Sequence, residues 1–85
     1  MEIRYSQKFK KQFEKLPKFA KVKFEERLNL FLTEPNHPIL RNHKLAGKYH
    51  QHRSINITGD YRLIFAKTET TLDLEFIGTH SQLYK

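Results

Sequence analysis

The chain of 85 residues carries 16 Lys and Arg against 9 Asp and Glu, a formal net charge of +7 with its five histidines neutral, and is 38% hydrophobic and 13% aromatic. That length makes one small domain, expected over residues 1–85, with no room for a separate catalytic domain or a large internal cofactor cavity, so any active site must be a shallow surface one. Cysteine is absent, which excludes disulfides, thiolate nucleophiles, iron–sulfur clusters and cysteine zinc sites.

Glu2-Ile3-Arg4-Tyr5 alternates polar and apolar residues and predicts a short strand with one wet face. Ser6 then offers a helix N-cap, and Phe9, Phe13 and Leu16 follow on one face of a short helix that Pro17 ends. Ala20, Phe24, Leu28, Phe31 and Leu32 form the apolar stripe of a second helix, which runs out at Thr33-Glu34-Pro35. Residues 35–48, with Pro35, Asn36, Pro38 and Gly47, read as a loop. The period then changes to two. Arg53, Ile55 and Ile57 alternate with Ser54, Asn56 and Thr58, and after a Gly59-Asp60 turn Tyr61, Leu63 and Phe65 alternate with Arg62, Ile64 and Ala66. A last strand sets Leu72, Leu74 and Phe76 against Asp73, Glu75 and Ile77, and Gly78-Thr79-His80 ends it. The predicted order is β-α-α-β-β-β, an α+β fold whose helical hairpin packs on one face of a small, mainly antiparallel sheet. The other face, carrying Ser54, Asn56 and Arg62, is expected to be open.

The charge is uneven. Residues 1–53 hold 13 of the 16 basic side chains and 5 of the 9 acidic ones, and residues 54–85 hold 3 and 4. Clustered Lys and Arg attract polyanions by releasing condensed counterions, and the alternative is an ordinary solvated helix face. No stretch approaches the ~20 apolar residues of a membrane span, and the first residues lack the apolar run of a signal peptide, so a cytoplasmic, membrane-free setting is expected.

No phosphate-binding Gly loop, EF-hand, His-Glu-x-x-His motif or nucleophile elbow occurs, and no cofactor or metal is expected. His50 and His52 alone give a poor metal site without a third ligand. What remains for chemistry is His43, His50, His52 and His80, with Arg53, Asp60, Tyr61, Arg62 and Tyr84 beside them, residue types suited to proton transfer and phosphate neutralisation. Each has a structural alternative: a loop hydrogen bond for His43, a turn former in Asp60, sheet charges in Arg53 and Arg62, a core position for Tyr61 and an edge-covering aromatic in Tyr84.

His43-Lys44-Leu45-Ala46-Gly47, Arg53-Ser54-Ile55-Asn56-Ile57-Thr58-Gly59-Asp60-Tyr61-Arg62-Leu63-Ile64-Phe65 and Gly78-Thr79-His80-Ser81-Gln82-Leu83-Tyr84 occur in that order. Together they resemble the RelE/ParE superfamily of bacterial type II toxins and, within it, the YafQ-type messenger RNA interferases. The resemblance implies a RelE-like fold and metal-independent cleavage of messenger RNA on the ribosome, with the ribose 2′-hydroxyl attacking the adjacent phosphate. It implies His80 as general acid, His43 and Asp60 on the base side, and Arg53 or Arg62 as the phosphate clamp. Tyr61 or Tyr84 would be the stacking platform for an unstacked base. Asn56 stands where similar toxins often carry a histidine; its amide can bind phosphate or ribose but cannot transfer a proton at neutral pH. A cognate antitoxin covering the basic surface is implied as partner, beside the ribosome and messenger RNA. Two other uses of the same fold stay open: a ParE-like inhibitor of DNA gyrase and a binding module with a degenerate site.

Overall fold

The computed structural model describes residues 1–84. In chain order they form β1 (Glu2–Tyr5), α1 (Gln7–Glu14), α2 (Lys18–Thr33), β2 (His43–Lys44), β3 (Arg53–Asn56), β4 (Tyr61–Lys67), β5 (Thr71–Thr79) and α3 (His80–Leu83). Two 3-10 turns, Pro38–Leu40 and Gly47–Tyr49, flank β2. The sheet order is β1-β5-β4-β3-β2. Only the β1–β5 pair is parallel, so the sheet is mainly antiparallel as expected. Two elements go beyond the predicted order: β2, a two-residue edge strand inside the presumed loop, and α3, which starts where the last strand was expected to end.

Ser6 caps α1 as its sequence position suggests, the Oγ accepting from the Phe9 N–H at 2.9 Å while the same hydroxyl donates to the Glu75 carbonyl at 2.7 Å. One short side chain thereby starts a helix and ties it to β5. Phe9, Leu16, Ala20, Phe24, Leu28 and Phe31 from the hairpin pack on Ile55, Ile57, Leu63, Phe65, Leu72, Leu74 and Ile77 from the sheet, all of them buried. The rings of Phe31 and Phe65 meet edge-on at 4.9 Å, a favoured arrangement for aromatic pairs. Leu32, read as part of the stripe, is instead 45% exposed.

The register of β5 departs from strict alternation. Ile64 opposes Phe76 while Phe65 opposes Leu74, so Glu75 is an extra residue bulged out of the ladder. Phe76 therefore leaves the core face and Ile77 joins it. The Ile77 N–H donates to Gln12 Oε1 of α1 at 2.9 Å, which satisfies a donor beside the disrupted ladder.

The face away from the hairpin is only partly open. Ser54 and Ile64, directly opposed, are both fully buried. Beside them Tyr49 packs edge-on against Phe76 at 5.7 Å and against His52 at 5.9 Å. The expectation that Ser54 is exposed is thus corrected: the segment between β2 and β3 folds back over this end of the sheet.

Candidate functional site

What stays open lies at the other end of that face. Directly opposed strand residues share a face, and Asn56 opposes Arg62, Arg62 opposes Gly78, and His43 opposes Ser54. Ser54 and Asn56, two residues apart on β3, face the same side, so His43 stands one step along the strands from the Asn56–Arg62 pair, whose own row stops at Gly78, a residue with no side chain.

Gly78 lies where the chain turns into α3. A Cβ built there would stand 2.8 Å from Gln82 Oε1 and 3.5 Å from Leu83 Cδ2, so the Gln82 side chain of α3 lies directly over this position and a larger residue would displace its amide. Thr79 and Gln82 form a capping box: the Gln82 N–H donates to Thr79 Oγ1 at 3.2 Å and the Thr79 N–H donates to Gln82 Oε1 at 2.9 Å. The His80 N–H donates to the Asp60 carbonyl at 3.1 Å, joining α3 to the β3–β4 turn. His80 and Tyr84 are then one turn apart, their ring centroids 4.7 Å from each other.

These elements enclose a shallow depression of about 380 Å³ lined by His43, Leu45, Asn56, Arg62, His80 and Tyr84. His43 comes from the exposed edge strand, and its Nδ1 is 2.8 Å from the Arg41 carbonyl. Arg62 crosses the β3–β4 turn, its Nη1 donating to the carbonyls of Thr58 (3.3 Å), Gly59 (3.0 Å) and Tyr61 (3.4 Å). The guanidinium is held from one side, and the fork geometry keeps further N–H donors for an anion. Two imidazoles, a cation, an amide and an aromatic ring thus surround one open space. That set can remove a proton, donate one, neutralise a phosphate and stack a base.

Of the residues singled out from sequence, His43, Asn56, Arg62, His80 and Tyr84 are brought together. Arg53 is elsewhere, its Nε donating to Asn42 Oδ1 at 2.8 Å while Asn42 Nδ2 donates to the Pro35 carbonyl at 2.9 Å, a brace for the 35–42 segment. Tyr61 packs on the core and meets Phe19 edge-on at 6.0 Å. It lines a second depression of about 360 Å³ with Lys8, Lys11, Gln12, Lys15 and Gln82. Asp60 is exposed and outside the lining; its main chain, not its carboxylate, makes the contact with α3. His52 packs beside Tyr49, and among the described residues no three His, Cys, Asp or Glu side chains are grouped to hold a metal ion. Sequence reasoning missed Gln82, although Thr79-x-x-Gln82 is a legible capping-box pattern, and Arg41, for which the sequence offers no signal.

Comparison with known proteins agrees with this fold. A family model described as the bacterial toxin of type II toxin-antitoxin system, YafQ, matches residues 1–85. The structure superposes on YafQ from E. coli strain BL21(DE3) with a TM-score of 0.83 at 23% identity, covering 99% of this chain and 98% of that one. It superposes on a chain of the E. coli DinJ-YafQ toxin-antitoxin complex with a TM-score of 0.81 at 25% identity, covering 99% and 97%. A metal-bound toxin from Helicobacter pylori gives a TM-score of 0.76 at 26% identity, covering 99% of both chains. Comparison with the curated proteins gives no match. On the full-length family match, the chain belongs to the YafQ family of type II toxin-antitoxin toxins, of the RelE/ParE type.

Proposed function

We propose that this toxin is a metal-independent endoribonuclease that cleaves messenger RNA on the ribosome. The observation that carries the reading is the convergence of His43, His80, Arg62, Asn56 and Tyr84 on one depression. In the proposed reaction His43 takes the proton of a ribose 2′-hydroxyl, whose oxygen attacks the adjacent phosphorus. His80 protonates the departing 5′-oxygen. The products are a 2′,3′-cyclic phosphate and a free 5′-hydroxyl, with no water consumed and no metal required. Arg62 offsets the charge that builds on the phosphorane, Asn56 hydrogen-bonds a phosphate or ribose oxygen, and Tyr84 stacks an unpaired base.

The lysines of α1 that line the neighbouring depression add a positive field beside the site, favourable for RNA approach. An antitoxin is the expected protein partner, as in the E. coli DinJ-YafQ complex. The cytoplasm, where messenger RNA and ribosomes are found, is the proposed setting, and no helix among the described residues is long and apolar enough to cross a membrane.

The test is cleavage of a defined message on programmed ribosomes, with new 5′ ends mapped by primer extension. Cuts confined to the A-site codon are expected, with His80→Ala reducing the rate by about 10²-fold or more, the ordinary share of a general acid. Absence of cuts by the folded wild-type chain rejects the reading and directs attention to gyrase supercoiling.

A further inference from the structure

Arg41 has the only positive φ at a non-glycine position among the described residues, with φ 47° and ψ 48°. This left-handed conformation is unfavourable for a side chain such as arginine and persists where the surroundings impose it. Here they do so from both sides. Leu40, fully buried, anchors the 3-10 turn before it, and the Arg41 N–H closes that turn on the Pro38 carbonyl at 3.2 Å. Asn42 after it is pinned between the Pro35 carbonyl and Arg53.

The left-handed step sets the Arg41 carbonyl 2.8 Å from Nδ1 of His43, two residues on. A carbonyl oxygen only accepts, so the ring nitrogen facing it must carry a proton. In a neutral imidazole the other nitrogen, Nε2, then holds the lone pair. We infer that Arg41 is a positioning residue: its strained main chain holds His43 in the Nδ1–H tautomer and so makes Nε2 the basic atom at the depression. The inference rests on the proposed role of His43 as base, but the tautomer itself is a property of the free protein. The effect is carried by the Arg41 main chain. Glycine, which adopts positive φ freely, should preserve the device, whereas a β-branched residue, for which it is most strained, should break it.

Long-range ¹H–¹⁵N NMR of the His43 imidazole in the free toxin, recorded at a pH where the spectrum itself shows the neutral ring, reads the tautomer directly. Wild type and Arg41→Gly are expected to show the Nδ1–H form, and Arg41→Val a shift toward Nε2–H. In single-turnover cleavage Arg41→Gly should keep kcat within about threefold, with any effect of the lost charge falling on KM, while Arg41→Val loses about tenfold or more in kcat, or about 1.4 kcal/mol. A wild-type ring in the Nε2–H form overturns the inference. So does Arg41→Gly being as impaired in kcat as Arg41→Val, or Arg41→Val keeping the wild-type tautomer and rate. If Arg41→Val does not fold, the spectra of wild type and Arg41→Gly decide alone. A wild-type chain that shows the Nδ1–H form and cuts no RNA would reject the nuclease reading and leave the tautomer assignment in place.

Discussion

The main-chain N–H of His80 donates to the carbonyl oxygen of Asp60 at 3.1 Å, so the β3–β4 turn and the start of α3 are one mechanical piece. The contact uses the backbone of Asp60 and leaves its carboxylate exposed. Asp60→Asn, which keeps that carbonyl, is therefore expected to retain cleavage within about threefold. A loss of tenfold or more in the same ribosome assay would return the carboxylate to the base side of the reaction.

Gly78 is expected to matter more for activity than for stability. An alanine Cβ would press on Gln82 Oε1 at 2.8 Å, the atom that accepts from the Thr79 N–H, and the capping box would open at a cost of about 0.5–2 kcal/mol to a four-residue helix. His80 and Tyr84 ride on that helix. Gly78→Ala should cut the cleavage rate about tenfold with little change in the thermal midpoint. Gln82→Ala should do the same, and the double substitution should add little, because both act on one contact.

Gln12 gives a stability prediction separate from the site. Its side chain is the partner of the Ile77 N–H beside the bulge, and Gln12→Leu leaves that donor without an acceptor. The expected loss is about 1–3 kcal/mol, readable as a lower urea midpoint at unchanged slope. An unchanged midpoint would mean that another acceptor takes its place.

Arg4 and Asp73 face each other across the parallel pair, with Nε to Oδ1 at 2.6 Å. The hydrogen bond from Arg4 holds the Asp73 carboxyl below the usual carboxylate range. A lowered folded-state value means that the stabilisation is present above the unfolded carboxyl's value near ~3.9 and is lost as pH falls through the lower folded one. Arg4 is exposed and Asp73 partly so, and the effect is small. Asp73→Asn should unfold at slightly lower urea than wild type at pH 7, and the difference should close as the pH is taken below the titration of Asp73.

Asn56 lines the depression together with the two histidines. With His43 and His80 already present to exchange protons, Asn56→His is expected to change the cleavage rate by less than about threefold. A rise of tenfold would show that the site is short of a proton-transfer group.

Much of this was legible in the sequence, because long periodic segments declare themselves. The Phe9 and Phe24 stripes, the Ser6 cap and the 53–58 and 61–66 alternations correspond to α1, α2, β3 and β4. The features that escaped are those set by partners rather than by local pattern. His43–Lys44 is a strand only because β3 offers it a ladder. Phe76 and Ile77 exchange faces because of a bulge that no residue type at Glu75 announces. Ser54 is buried by a loop that folds back from the far side. For the site, histidines, Asn56, Arg62 and Tyr84 were recognisable from chemical type and motif order. Arg53 and Tyr61 carry the same types, but tertiary bonding commits one to Asn42 and the other to the core.

The position of β5 in the sheet sets when the molecule can fold. It is last of the strands in the chain yet sits between β1 and β4, pairing Glu2 with Thr71. While the chain is being synthesised, β1 has no neighbour, the Ser6 hydroxyl lacks the Glu75 carbonyl, and the apolar side of α1 has no β5 to rest on. Such distant pairings fold slowly because loop closure precedes any reward. β1 cannot complete its pairing until residues 71–74 are in place, so the sheet and the pocket beside it close together with β5.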